Sequence, residues 1–171
     1  MGRKEEMFQY AREKLTPYIS ERANLLRKDC AAYLEMKREY HRIVSDLLQT
    51  AQKRQAAGTL GQIHYFSIFY LQSSAVTQSY DFALSLTNER YCLDQNGLLC
   101  FWCPQRLFQA VEEDLSFFEK DARQMWIRIR PYELEEIRRA YINNLYQLAG
   151  FFFGEESLDA AVLGGIARLD C

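Results

Sequence analysis

Only 3 prolines and 8 glycines occur in 171 residues, too few for a collagen-like, low-complexity or linker-rich chain. Long hydrophobic runs are missing too. The best stretches are 63–71, broken by His64 and Ser67, and the short patch Phe151 to Phe153. Both fall short of the 18 or more apolar residues of a membrane helix. The segment from Met1 to Met7 has charges but no hydrophobic core behind them, so it does not read as a secretory signal. Glu6 stands where a myristoylation signal has Ser or Thr, and Arg168-Leu169-Asp170-Cys171 is not a prenylation box. The 5 cysteines are odd in number and unevenly spaced, which does not fit a disulfide framework. The expectation is a cytoplasmic protein with no membrane partner and with reduced, mostly buried thiols.

What is present is an ordinary globular composition with one excess. Hydrophobic residues make up 49% of the chain, and 21 Lys+Arg nearly balance 23 Asp+Glu. At this length a chain buries about two-thirds of its unfolded surface, so a core needs neither disulfides nor a structural metal. A single domain over 1–171 is expected, helical in 1–57, β-rich in 58–104 and helical again in 105–171, with a mobile tail from about 155. The excess is aromatic: 11 Tyr, 11 Phe and 2 Trp, or 14% of the residues.

From Arg3 to Ala57 there is no glycine, and good helix formers dominate. Thr16-Pro17 reads as a cap followed by a first-turn proline, giving a short helix and then a long one. In the long one Ile19, Leu26, Tyr33, Tyr40 and Leu47 recur every seven residues on one face. Ala57-Gly58 and Gly61 end it.

From Gly61 to Pro104 β-branched and aromatic residues take over. The segment 79–86 alternates as a half-buried strand does, and 62–72 reads as a strand apolar on both faces. Asn96-Gly97 is a hairpin signal pairing strands at 89–93 and 98–103. The result is an antiparallel meander of three or four strands. Because short apolar runs do not separate the two periods, an all-α reading of 63–72 and 80–88 stands as the alternative. Beyond Pro104, Leu107, Val111, Leu115, Phe118 and Ala122 form one helical stripe, and Leu134, Ile137, Tyr141, Leu145 and Leu148 another. The fold class is α+β, with a long N-terminal amphipathic helix and C-terminal helices packed on a small antiparallel sheet.

Candidate chemistry is sparse. Cys92, Cys100 and Cys103 form a weak metal or redox candidate, since Cys100 and Cys103 are three residues apart and Pro104 suggests a helix start that would lower the Cys103 pKa. No second ligand pair accompanies them, so three core cysteines is the simpler reading and no cofactor is expected. His41 and His64 belong to no catalytic pattern, the many Glu pairs match solvated helix faces, and no glycine-rich phosphate loop or Walker lysine exists. With no catalytic constellation the chain reads as non-enzymatic.

Charge is divided unevenly. Residues 1–57 hold 12 Lys+Arg against 8 Asp+Glu, so phosphate contact through Arg22, Arg27, Lys28, Lys37, Arg38 and Arg42 is one reading. Interspersed acids and a pI near 5.8 weigh against it. The aromatics in 62–102 favour another. A two-faced strand needs more cover than a small domain offers, so the leading expectation is an intracellular protein-interaction or self-assembling module. Tyr33, Tyr40, Leu47, Tyr65, Phe69 and Tyr70 are its candidate interface, and a second copy or another protein its partner.

Overall fold

The computed structural model describes residues 2–169, apart from the side chains of Cys92, Ala160 and Ala161. It has the expected α+β class: helices α1 (Arg3–Leu25), α2 (Ala31–Ala56), α3 (Gln72–Thr77), α4 (Gln105–Phe108), α5 (Val111–Met125), α6 (Pro131–Ser157) and α7 (Ala160–Ile166) accompany one antiparallel sheet of β1 (Tyr65–Tyr70), β2 (Phe82–Thr87) and β3 (Leu98–Trp102) in the order β1-β2-β3. No helix among the described residues is long and apolar enough to cross a membrane. The chain divides into two compact units, Met1–Tyr33 with Gln105–Phe151 and Leu34–Pro104 with Phe152–Cys171.

The first unit is helical. Met7, Ala11 and Leu15 follow the i, i+4 spacing of one buried helix face, and Val111, Phe118 and Ala122 of α5 and Ile137, Tyr141 and Leu145 of α6 are buried likewise. A charged cluster lies among them. Arg22 Nη2 stands 2.5 Å from Asp114 Oδ2 with both side chains 7% exposed. Arg22 Nε donates to the Leu107 carbonyl at 3.1 Å, and the Tyr141 hydroxyl donates to the same Asp114 oxygen at 2.6 Å. Burial pushes the Asp114 carboxyl up, against the pull of Tyr141 and Arg22. At the start of α6, Pro131 occupies the first helical position and Glu133 reaches back to accept the Arg130 N–H at 2.7 Å.

The helix boundaries near the N-terminus differ from the sequence expectation. Helix α1 runs straight through Pro17, and the break falls at residues 26–30, so the heptad stripe is shared by two helices. Proline removes only one helical bond, and the carbonyl it frees, that of Glu13, lies on an exposed face that water can satisfy. Thr16 is not a cap; its hydroxyl donates to the Arg12 carbonyl four residues back. The break is made by tightened turns, Leu26 N–H to Ala23 O and Arg27 N–H to Asn24 O, and by Asp29, which takes two bonds from Arg27 at 3.2 and 3.0 Å.

The second unit holds the sheet. Phe82, Leu84, Leu86, Leu98 and Trp102 point to one side and are buried. On that side Tyr40 of α2 lies 5.5 Å from both the Trp102 and the Phe153 rings, and Phe153 lies 4.7 Å from Phe82. Gly58, with φ of 68°, takes the left-handed conformation that closes α2. Helix α7 comes so near α2 that a Cβ on Gly165 would fall 2.6 Å from a Leu48 methyl, which gives the Gly164-Gly165 pair a packing reason.

Three strands form, and the expected fourth, at 89–93, is a single 3-10 turn over Tyr91–Leu93. The Asp94 carboxylate accepts the N–H groups of Asn88 (2.8 Å) and Asn96 (2.9 Å), and Asn88 Oδ1 accepts that of Arg90 (2.8 Å). Donors satisfied within the loop are not available to a sheet ladder. The β2–β3 connection is accordingly the whole of 88–97, and neither Asn96 nor Gly97 adopts positive φ.

Two tests follow from the first unit. Arg22→Met, which strands a buried carboxylate, should cost about 3–5 kcal/mol in urea unfolding, whereas the double variant Arg22→Met/Asp114→Leu should recover most of that loss. The Arg130 N–H and the Arg3 guanidinium, whose Nη1 is 2.8 Å from Oε1, hold Glu133 below the usual carboxylate range. Its contribution is therefore complete above the unfolded carboxylate pKa and is lost as pH falls through the lowered folded value. Glu133→Gln should flatten the acid limb of a plot of unfolding midpoint against pH.

Candidate functional site

Strand alternation gives the sheet a second face. The register sets Phe69, Ala83 and Phe101 in one row across the three strands and Ser67, Ser85 and Leu99 in the next, with Tyr65 opposite Thr87. The residues of the outer strands on this face reach solvent: Tyr65 is 46% exposed, Phe69 40%, and Leu99 and Phe101 56% each. Between them the central strand carries only small side chains, the buried Ala83 and Ser85. The face is a shallow valley with two apolar walls and no charged residue among the eight positions.

Tyr91 extends the wall on the β1 side. Its ring centroid is 5.3 Å from that of Tyr65 and 6.1 Å from that of Phe69. Its φ is 51°, a left-handed conformation that a bulky residue rarely adopts. Backbone in this region is strained, and such strain concentrates where a side chain must be held in a particular place. An antiparallel sheet with one solvated face normally shows polar residues there; this one shows aromatic and aliphatic residues beside the hydroxyls of Ser67, Ser85 and Thr87.

A second feature lies on the α2 side of the same unit. Lys37 and His41 are one turn apart on α2, and they meet Glu156 and Asp159, three residues apart at the end of α6. Lys37 Nζ is 3.1 Å from Glu156 Oε2 and 2.9 Å from Asp159 Oδ2, and His41 Nε2 is 2.9 Å from Glu156 Oε2. Glu156 is almost fully buried, its side chain 3% exposed. The Asp159 and Glu156 carboxylates hold the Lys37 ammonium above its ordinary pKa. His41 also lines a groove of about 580 Å³ with Arg42, Gln49, Gln52 and Arg168.

The residues singled out from sequence separate into two groups. Tyr33, Tyr40 and Leu47 are buried within the chain's own core, whereas Tyr65, Phe69 and Tyr70 are exposed. Tyr70 belongs to the other side of β1, since it pairs with the inward Phe82. Of the basic residues, Arg22 is the buried partner of Asp114, Lys37 is committed to Glu156 and Asp159, Arg27 pairs with Asp29 and Arg42 with Asp46, and Arg38 donates to the Leu34 carbonyl. Lys28 is exposed in the connection between α1 and α2.

The cysteines stay apart from any metal-ligating group among the described residues. The Cys92 side chain lies outside those residues, as does Cys171. Cys103 precedes α4 as expected, but that helix has only four residues. Burial, with some help from Asp81, pushes its thiol up to about 12, the reverse of the anticipated shift, and burial also raises Cys100.

Sequence reasoning missed Leu99 as a contact residue and the pairing of His41 with Glu156 and Asp159. The unbroken apolar run Leu98-Leu99-Cys100-Phe101-Trp102 signals a strand with two apolar faces, just as 62–72 does. The polar cluster is marked only by i, i+4 and i, i+3 spacing, which many solvated helix faces share.

No protein-family model, curated protein or solved structure matches the chain. A functional reading rests on its own geometry.

The thiol chemistry can be tested directly. At pH 8, Cys103→Ser should leave the fast phase of a disulfide-exchange reagent unchanged, because a thiol with its pKa near 12 holds almost no thiolate there.

Proposed function

We propose that the protein is a self-associating interaction module whose contact surface is the outer face of its sheet, and that the partner is a second copy of the same chain. The observation that supports this most is the uncharged, apolar valley formed by Tyr65, Phe69, Leu99 and Phe101 around Ala83 and Ser85. A contiguous exposed apolar patch on a folded chain marks a site of association.

The choice of a second copy follows from shape and charge. Two identical surfaces that meet about a two-fold axis must complement themselves. Here each copy supplies two walls and one valley, so a wall of one enters the valley of the other. The absence of charge on the face removes the like-charge repulsion that identical surfaces otherwise suffer. Five part-exposed large side chains, Tyr91 included, present roughly 500 Å² per copy, given that an aromatic side chain buries about 150–250 Å² in all. Two copies would then cover about 1,000 Å², the size at which specific interfaces begin. Phosphate contact by the N-terminal helices draws no comparable support, because Arg22 and Lys37 are committed to buried carboxylates.

Light scattering coupled to size-exclusion chromatography tests the proposal at micromolar concentration. A dimer is expected for the unmodified chain, and monomers for Phe69→Lys and Phe101→Lys with melting temperatures close to the unmodified chain diluted to its own monomer. A monomer at all concentrations for the unmodified chain refutes self-association, and a dimer that survives both lysines places the contact elsewhere.

A further inference from the structure

We infer that His41, Glu156 and Asp159 form a binding site for one zinc-class divalent cation, which replaces the Lys37 ammonium between the two carboxylates. One ligand atom from each residue lies within 4.8 Å of the others. Zinc bound to nitrogen and oxygen at about 2.0–2.2 Å sets tetrahedral ligand atoms about 3.4 Å apart, so small side-chain adjustments bring the three donors into range. Imidazole with two carboxylates suits zinc and its neighbours better than magnesium or calcium, which favour all-oxygen shells.

The second observation concerns His41 itself. Its Nε2 is sealed from solvent and makes no hydrogen bond, although it is aimed at Glu156 Oε2 only 2.9 Å away. Two imidazole states suit so short an approach to a carboxylate oxygen: an Nε2 that carries a proton, as the neutral Nε2–H tautomer does, or a bare Nε2 that shares a metal ion with that oxygen. A proton on His41 is one solution and a metal ion is the other. With the ion bound, its two positive charges match the two carboxylates and the imidazole is neutral. An ion on Nε2 takes the place of any proton there, which moves to Nδ1 or to solvent, and it frees the Lys37 ammonium.

Lys37 can leave without disturbing the fold. Its side chain is 33% exposed on a flexible stem, whereas His41 stands within α2, Glu156 in the last turn of α6 and Asp159 between α6 and α7. Three protein ligands leave a tetrahedral ion one open position. His41 also borders the groove formed with Gln49, Gln52 and Arg168.

The test uses the full chain purified without chelator and stripped of metal. Zinc is titrated against a chromophoric chelator, and cobalt is used as a spectroscopic substitute. One equivalent should bind; His41→Ala and Asp159→Asn should each weaken binding about tenfold or more, and Lys37→Met should tighten it by removing the competing cation. Circular dichroism and melting curves verify that each variant is folded, and Lys37→Met supplies an independent readout if His41→Ala is not. The cobalt spectrum should show ligand-field bands without thiolate charge transfer. Failure of zinc and cobalt to bind at one equivalent overturns the inference, as does binding unchanged in His41→Ala and Asp159→Asn. A thiolate band would move the site to the cysteines and equally overturn it.

Discussion

A three-stranded sheet has two faces and two open edges, and the second unit covers one face. The inner side is filled by Tyr40 of α2 and by Phe152 and Phe153 at the end of α6, which close on Phe82 and Trp102 with ring centroids 4.7 to 5.9 Å apart. On the outer side Tyr65, Phe69, Leu99 and Phe101 stay 40–56% exposed. Apart from Ser67, the residues that alternate outward on β1 and β3 are aromatic or aliphatic like most of those that alternate inward, so the strand composition that builds a core on one side leaves an apolar valley on the other. Covering that valley removes apolar surface from water at about 25 cal/mol per Å², an incentive that a solvated polar face would not have. The function proposed for the chain follows from this asymmetry.

The buried charges obey a stricter rule. Ionised groups are taken out of water only when a specific partner replaces hydration. Asp114 has Arg22 and Tyr141, Glu133 has the Arg130 N–H and Arg3, and Glu156 has Lys37 and His41. The excess of positive charge in the first 57 residues is thus partly internal: Arg3, Arg22 and Lys37 each meet an acid from the C-terminal part of the chain. That pattern accounts for a near-neutral protein whose two halves differ in sign. It leaves fewer free cations for an external polyanion than a count of lysines and arginines suggests.

Much of the fold was legible because hydrophobic period survives in single sequences. The stripes of α5 and α6 and the helix stop at Gly58 follow from side-chain spacing, and the structure has them; the half-buried alternation expected over 79–86 is instead a strand over Phe82–Thr87 that is buried at every position but the last. The misplaced features share another cause. Pro17 was read as a helix start, yet one lost hydrogen bond on an exposed face is a small cost beside the packing of Met7, Ala11, Leu15 and Arg22 along one continuous helix. Residues 89–93 were read as a strand, yet the Asp94 carboxylate and the Asn88 side chain capture the local N–H groups first. In both places a local propensity was outweighed by bonds whose partners cannot be seen from the immediate sequence.

The same distinction separates the two candidate sites. An apolar face is written in neighbouring residues: Leu99 and Phe101 lie in an unbroken apolar strand, Tyr65 and Phe69 in one interrupted only by Ser67, and only the choice of outward side waits for the register. The His41, Glu156 and Asp159 cluster depends on the body of α2 meeting the end of α6 and the residues just past it, 115 or more positions away. No short-range pattern announces it, since Glu155-Glu156 looks like any solvated pair until Glu156 is found at 3% exposure beside an imidazole nitrogen. What makes the cluster chemically informative is the combination of depth and acceptor character. A carboxylate at the surface needs no explanation, but one buried against a ring nitrogen is held by the donors and cations around it, Lys37 Nζ at 3.1 Å in this structure and a divalent ion in the proposed bound form.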